Sequence, residues 1–187
     1  SNTTGVRYSL SPVRDKTMKS IQKPVLNESY SLSARITIND SRDAVWTLLR
    51  DFSNVQRWAP SVKSSHALGK AELGVGAGRH CVLDGFGEIE EIITQWHEGH
   101  GFVYDVTPLG PLAKSYSRWW LTDAGDGKTQ LEVELSYNLR YGWFGRALHA
   151  LVMRSKLEAS LPETLNAVKQ EVEHGEYFGS LFEAVAT

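Results

Sequence analysis

From Leu32 onward, apolar and polar residues alternate: Leu32, Ala34, Ile36 and Ile38 against Ser33, Arg35, Thr37 and Asn39. A period of two belongs to a half-buried strand. Asn39-Asp40-Ser41 then offers capping side chains ahead of Val45, Trp46, Leu48 and Leu49, the pattern of a short amphipathic helix. A second short helix or turn is expected over residues 54–58, because Pro60 disfavours helical geometry at Ala59. Strand-length pieces follow over residues 62–68, 79–83, 88–96, 101–107, 115–122 and 129–139. Glycine- and proline-rich turns separate most of them. Short strands in series predict an antiparallel sheet rather than βαβ units.

The chain then changes period. Leu148, Leu151, Val152, Leu157, Leu161, Leu165, Val168 and Val172 recur mostly at three- and four-residue spacing, which predicts a helix over about residues 144–173. At 1.5 Å per residue such a helix is about 45 Å long, enough to cross a small domain. Pro162 falls inside it. A kinked continuous helix is the preferred reading, since the apolar stripe keeps its phase; a restart capped by Ser160 and Glu163 is the alternative.

Residues 1–30, rich in Ser, Thr, Lys and Arg and without periodicity, read as a flexible N-terminal arm, with a single domain over 31–187. With 41% hydrophobic and 22% charged residues the chain is of globular type. A net charge of −2 with scattered basic residues gives no general pull toward nucleic acid or an anionic membrane. The single cysteine, Cys81, precludes an intramolecular disulfide and favours a reducing, cytoplasmic setting. No apolar run is long enough to span a membrane. Sequons at Asn2, Asn27 and Asn39 matter only in a eukaryotic secretory pathway.

One strand, two short helices, a meander of strands and a long terminal helix form a distinctive order, and particular residues accompany it. Asp51-Phe52-Ser53-Asn54-Val55-Gln56-Arg57-Trp58-Ala59-Pro60 resembles the helix-loop signature of the polyketide cyclase/dehydrase and lipid-transport group of the START-like (SRPBCC) superfamily. Gly74-Val75-Gly76-Ala77-Gly78-Arg79-His80-Cys81, Asp84-Gly85, Glu90-Glu91 and Asp123 to Thr129 resemble the same group. The resemblance runs from about Leu32 to His174. It implies an α+β helix-grip fold, a curved antiparallel sheet wrapped around the C-terminal helix, with an apolar ligand cavity between them. It specifies no chemistry, because this superfamily includes carriers, cyclases, hormone receptors and quinone-binding proteins.

If Asp84-Gly85 forms a two-residue turn, Leu83 pairs with Phe86, Val82 with Gly87 and His80 with Ile89. Paired residues share a face, so His80, Val82, Ile89, Glu91 and Ile93 would line the concave side, while Arg79, Cys81 and Glu90 would face outward. A one-residue shift of the turn reverses such assignments. On this register Glu91 and His80 could orient a ligand or move protons, unless Glu91 is only a structural carboxylate held by Arg79, Arg118 or water. Trp58, Tyr104, Trp119, Tyr137 and Trp143 could wall a flat apolar ligand, although core packing explains many of them equally well. In the resembling group Trp58 belongs to the entrance segment, which implies a gate, and residues 141–145 would form the opposite lip. By alternation Trp120 lies outward with Arg118.

His97-Glu98-Gly99-His100 has the wrong spacing for a helical zinc motif, and residues 74–78 lack dinucleotide-loop spacing. No metal and no cofactor are expected. Three functions therefore stand: binding or transport of a hydrophobic small molecule, a lipid, isoprenoid or aromatic polyketide; a cyclase or dehydratase using Glu91 and His80; or a protein-interaction module with a vestigial cavity. A cavity of about 300 Å³ or more supports the first two, and a space packed solid supports the third.

Overall fold

The structure, a computed structural model, describes residues 21–175. Strand β1 (Tyr30–Ile38) is followed by helix α1 (Arg42–Arg50) and a 3-10 helix over Phe52–Arg57. Six strands come next: β2 (Val62–Leu68), β3 (Gly78–Leu83), β4 (Gly87–His97), β5 (Gly101–Val106), β6 (Leu112–Gly125) and β7 (Lys128–Leu139). The chain closes with α2 (Gly142–Leu148), a π-helical stretch over His149–Met153 and α3 (Arg154–His174). All strands join one antiparallel sheet in the order β1-β7-β6-β5-β4-β3-β2.

Local sequence sets the elements. The Ser41 hydroxyl accepts a hydrogen bond from the Ala44 amide at 3.2 Å and caps α1. Val45, Trp46, Leu48 and Leu49 all turn inward from that helix. Bulges near Ser64, Thr94 and Ala113–Lys114 interrupt the ladders, and such bulges increase local twist and bend a sheet. Gly101 runs so close to β6 that an added Cβ would lie 2.0 Å from the Trp119 carbonyl oxygen, so only glycine fits there.

The helix continues through Pro162, as the unbroken apolar stripe predicts. Its departure from α geometry is instead at His149–Met153, a π segment that the periodicity did not foretell. Beyond Pro162, Leu165, Val168 and Val172 are buried against α1 and the sheet among Ile38, Leu48, Leu121 and Leu131. Lys169 donates to the Thr37 carbonyl and to Glu173, and Glu173 accepts from the Asn39 amide, each at 2.7 Å. The C-terminal half of α3 is thereby tied to the end of β1.

Of the arm expected over residues 1–30, residues 1–20 lie outside the described residues, as do 176–187. Residues 21–29 lie along the convex face of β6 and β7. Arg118 donates to the Pro24 carbonyl at 2.5 Å, Lys23 pairs with Glu132 at 2.7 Å, and the Glu28 amide donates to the Ser136 hydroxyl at 3.2 Å. Trp120 and Arg118 point outward as alternation predicts, yet both are buried. His97 and His100 pack on the indole of Trp120, and Arg118 is bracketed by Glu132 and Glu134.

Candidate functional site

A cavity of about 170 Å³ lies between the concave side of the sheet and the N-terminal part of α3. Helix positions Leu157, Ser160, Leu161 and Thr164 form its roof, a spacing that puts them on one face. Val55 of the 3-10 helix and Trp58 and Ala59 just after it close one side, and Leu109 of the β5–β6 connection reaches it with Leu112 at the start of β6. The walls are mainly apolar. A cavity this size falls below the roughly 300–1,000 Å³ usual for drug-sized ligands but matches the roughly 150 Å³ in which benzene has been held.

The sheet wall carries a polar row. Arg79 of β3 stands opposite Glu91 of β4, Glu91 opposite Val106 of β5, and Val106 opposite Ser115 of β6. Arg79 Nε donates to Glu91 Oε2, and Arg79 Nη1 donates to the Phe52 carbonyl at 2.7 Å. The guanidinium also lies 3.9 Å from the centre of the Phe52 ring, a cation–π contact. Burial by itself would ease deprotonation of Arg79, but the Glu91 charge and hydrogen bond, together with Tyr104 and Cys81, outweigh it and hold the guanidinium charged. One row away, Trp119 Nε1 donates to the Tyr104 hydroxyl at 3.2 Å. Burial first, and then the Glu91 charge, raise the affinity of Tyr104 for its proton. The same causes push the Cys81 thiol up to about 12.

The β3–β4 hairpin departs from the expected register. Leu83 pairs with Gly87, His80 with Glu90 and Arg79 with Glu91, so the loop is Asp84-Gly85-Phe86, three residues rather than two. The extra residue leaves Ile89, Glu91 and Ile93 inward as expected but reverses β3. Arg79 and Cys81 face inward, whereas His80 and Val82 face outward. His80 lies 3.2 Å from Glu88 and packs on His66. His80 and Glu91 are therefore on opposite faces and cannot share a proton through the cavity. The signal that could have given this register is the second glycine: Gly85 has φ 74 and Gly87 φ 115.

Of the other candidates, Trp58, Tyr104, Trp119 and Glu91 line the cavity together. Trp58 meets Trp119 edge-on at 6.0 Å. Ile93 is inward but packed in the main core, not on the cavity. Tyr137 is also inward, but His149 of the π segment covers it: their Nε2 and hydroxyl oxygen are 2.7 Å apart. Trp143 is 75% exposed on α2, away from the cavity wall. Arg79, Cys81, Ser115, Ser117, Ser160 and Thr164 are wall residues that sequence reasoning did not select. Among the described residues no group of three His, Cys, Asp or Glu side chains is placed to hold a metal ion.

A curved antiparallel sheet gripping a long terminal helix around an apolar cavity defines a START-like, helix-grip protein. The chain belongs to the family described as polyketide cyclase / dehydrase and lipid transport, whose model matches residues 29–173. Solved structures share the fold at low sequence identity. The protein TTHA0849 from Thermus thermophilus is 16% identical with a TM-score of 0.64, covering 76% of this chain and 97% of its own. A START superfamily protein from Mycobacterium smegmatis is 16% identical with a TM-score of 0.58, covering 76% and 97%. The Zhui aromatase/cyclase from Streptomyces sp. R1128 is 15% identical with a TM-score of 0.60, covering 76% and 95%. No curated protein matches the sequence.

Proposed function

We propose that the protein binds or carries a hydrophobic small molecule in the cavity beneath α3. The observation that carries this reading is an apolar chamber left open between the sheet and α3, with one buried ion pair set into its wall. Unfilled apolar space forgoes dispersion contacts and so costs stability, and a ligand restores them. The Arg79–Glu91 pair, Tyr104 and Ser117 would orient the polar end of the guest, while Leu157, Leu161 and Trp58 would contact its apolar body. At about 170 Å³ the chamber fits a one-ring molecule; an isoprenoid or polyketide chain would need α3 to move outward. The family description supports an apolar guest in general.

Native mass spectrometry of protein purified from cells, followed by organic extraction, tests the reading. A stoichiometric apolar molecule is expected, and Ser160→Phe, which fills the chamber, should exclude it while the protein still folds. A protein that carries nothing, and shows no saturable change in tryptophan fluorescence with one-ring aromatics, isoprenoids or fatty acids, would refute it.

A further inference from the structure

The N-terminal part of the terminal helix has two dissimilar faces. Gly145, His149, Met153 and Leu157, four residues apart, turn toward the sheet. Gly145 packs so tightly that an added Cβ would lie 1.7 Å from the Arg140 carbonyl oxygen, and His149 is pinned between Tyr30 and Tyr137. These anchors fix the helix in rotation, so the opposite face is held in solvent. Tyr141, Trp143, Phe144, Leu148, Leu151 and Val152 are all exposed there, Trp143 by 75% and Leu151 by 81%. A ridge of large apolar side chains this exposed is unusual and marks an interaction surface.

Charge indicates the partner. Between residues 140 and 156 the chain carries Arg140, Arg146, Arg154 and Lys156 and no Asp or Glu; Arg154 is paired with Glu158 at 2.7 Å, so Arg140, Arg146 and Lys156 carry the local excess of positive charge. The overall charge of −2 conceals this local excess. Exposed Trp, Phe and Leu on a helix flanked by Arg and Lys match an interfacial helix: the rings enter the headgroup boundary while the basic side chains reach the phosphates.

We propose that the exposed face of residues 141–152 docks the protein on an anionic lipid membrane. A second copy of the chain is the poorer occupant, because it would bring the same cations against each other. The ridge adjoins the cavity: Leu157, one turn beyond Met153, lines it, and Lys156 lies 5.4 Å from the ring centre of Phe86 on the same wall. Docking needs no guest in the cavity and is tested without one.

The full chain is sedimented with vesicles of phosphatidylcholine alone and of phosphatidylcholine with phosphatidylglycerol, roughly 2:1. Binding to the anionic vesicles at least tenfold tighter than to the neutral ones, and weakening with salt, is expected. Arg146→Glu should weaken it roughly five- to thirty-fold, at about one factor of five for each unit of charge. The double variant Trp143→Ser, Leu151→Ser should weaken it tenfold or more with its melting temperature unchanged, since both side chains are already in water. Absence of binding to anionic vesicles, or equal binding by the variants, would overturn the proposal. So would a dimer that dissociates in the double variant, which would make the ridge a contact between copies. Co-purification of an acidic protein in place of vesicle binding would likewise replace the membrane with that partner.

Discussion

Arg79 and Glu91 face each other directly across β3 and β4 on the cavity wall, each about nine-tenths or more shielded from solvent, and the guanidinium also holds the Phe52 carbonyl. The pair thus links the sheet to the start of the 3-10 helix that leads into Trp58. Arg79→Met leaves a buried carboxylate unpaired and should destabilise the fold by about 3–5 kcal/mol. The double variant Arg79→Met, Glu91→Leu should recover most of that loss, because two apolar side chains replace two charges. Urea unfolding of the single and double variants measures the coupling, and additive losses would show that the two residues act separately.

Cys81 is buried beside Glu91, and burial followed by that negative charge pushes its thiol up to about 12. At pH 8 only about one molecule in ten thousand would carry the thiolate, the reactive form. Ellman's reagent should therefore leave the native protein untouched for minutes and release one equivalent of chromophore after unfolding. Rapid labelling of the native protein would place the thiol in solvent.

Burial, and then the charge of Arg154, hold the His149 imidazole below its ordinary 6.5, while Glu158 opposes them; Tyr30 and Tyr137 pack on the ring. As pH falls from about 6.5 toward that lowered value, the unfolded chain takes up a proton that the native chain refuses. Stability is therefore full above 6.5 and declines on acidification through this window. His149→Gln keeps a side chain able to hydrogen-bond Tyr137 but does not titrate. Denaturation midpoints between about pH 5.5 and 7.5 should fall more steeply for the wild type than for this variant.

Gly101→Ala sets a methyl group against the backbone of β6, where no side chain can yield. A loss of about 2–3 kcal/mol is expected, which for a chain of this size lowers the melting temperature by roughly 5–10 °C. Gly99→Ala, whose added Cβ meets nothing within 4 Å, is the control for the φ of 72 at that turn. A thermal scan of both variants separates crowding from backbone preference.

The succession of elements along the chain, the antiparallel sheet and the terminal helix were legible because period-two and helical patterns are local. Ile89, Glu91 and Trp119 were placed inward by that same alternation. The β3 register was misread because Asp84-Gly85 serves a two-residue or a three-residue loop equally well; the second glycine, Gly87, is the local mark of the longer loop. Nor was the burial of Arg118 and Trp120, since it depends on contacts with the preceding residues 23–24 and with the two histidines near Gly99. Trp143 and Tyr137 illustrate a further limit. An aromatic suits a cavity, a core or an exposed ridge alike, and neighbours distant in sequence choose among them.

The core grips the terminal helix at two places. Leu165, Val168 and Val172 sit in packed hydrocarbon with Lys169 and Glu173 fastened to the end of β1, while Leu157 packs with Leu112 and Tyr137 and His149 is hydrogen-bonded to Tyr137. Between them Ser160, Leu161 and Thr164 span the chamber. The helix over the cavity is thus a beam resting on two supports, and the chamber lies under its free span.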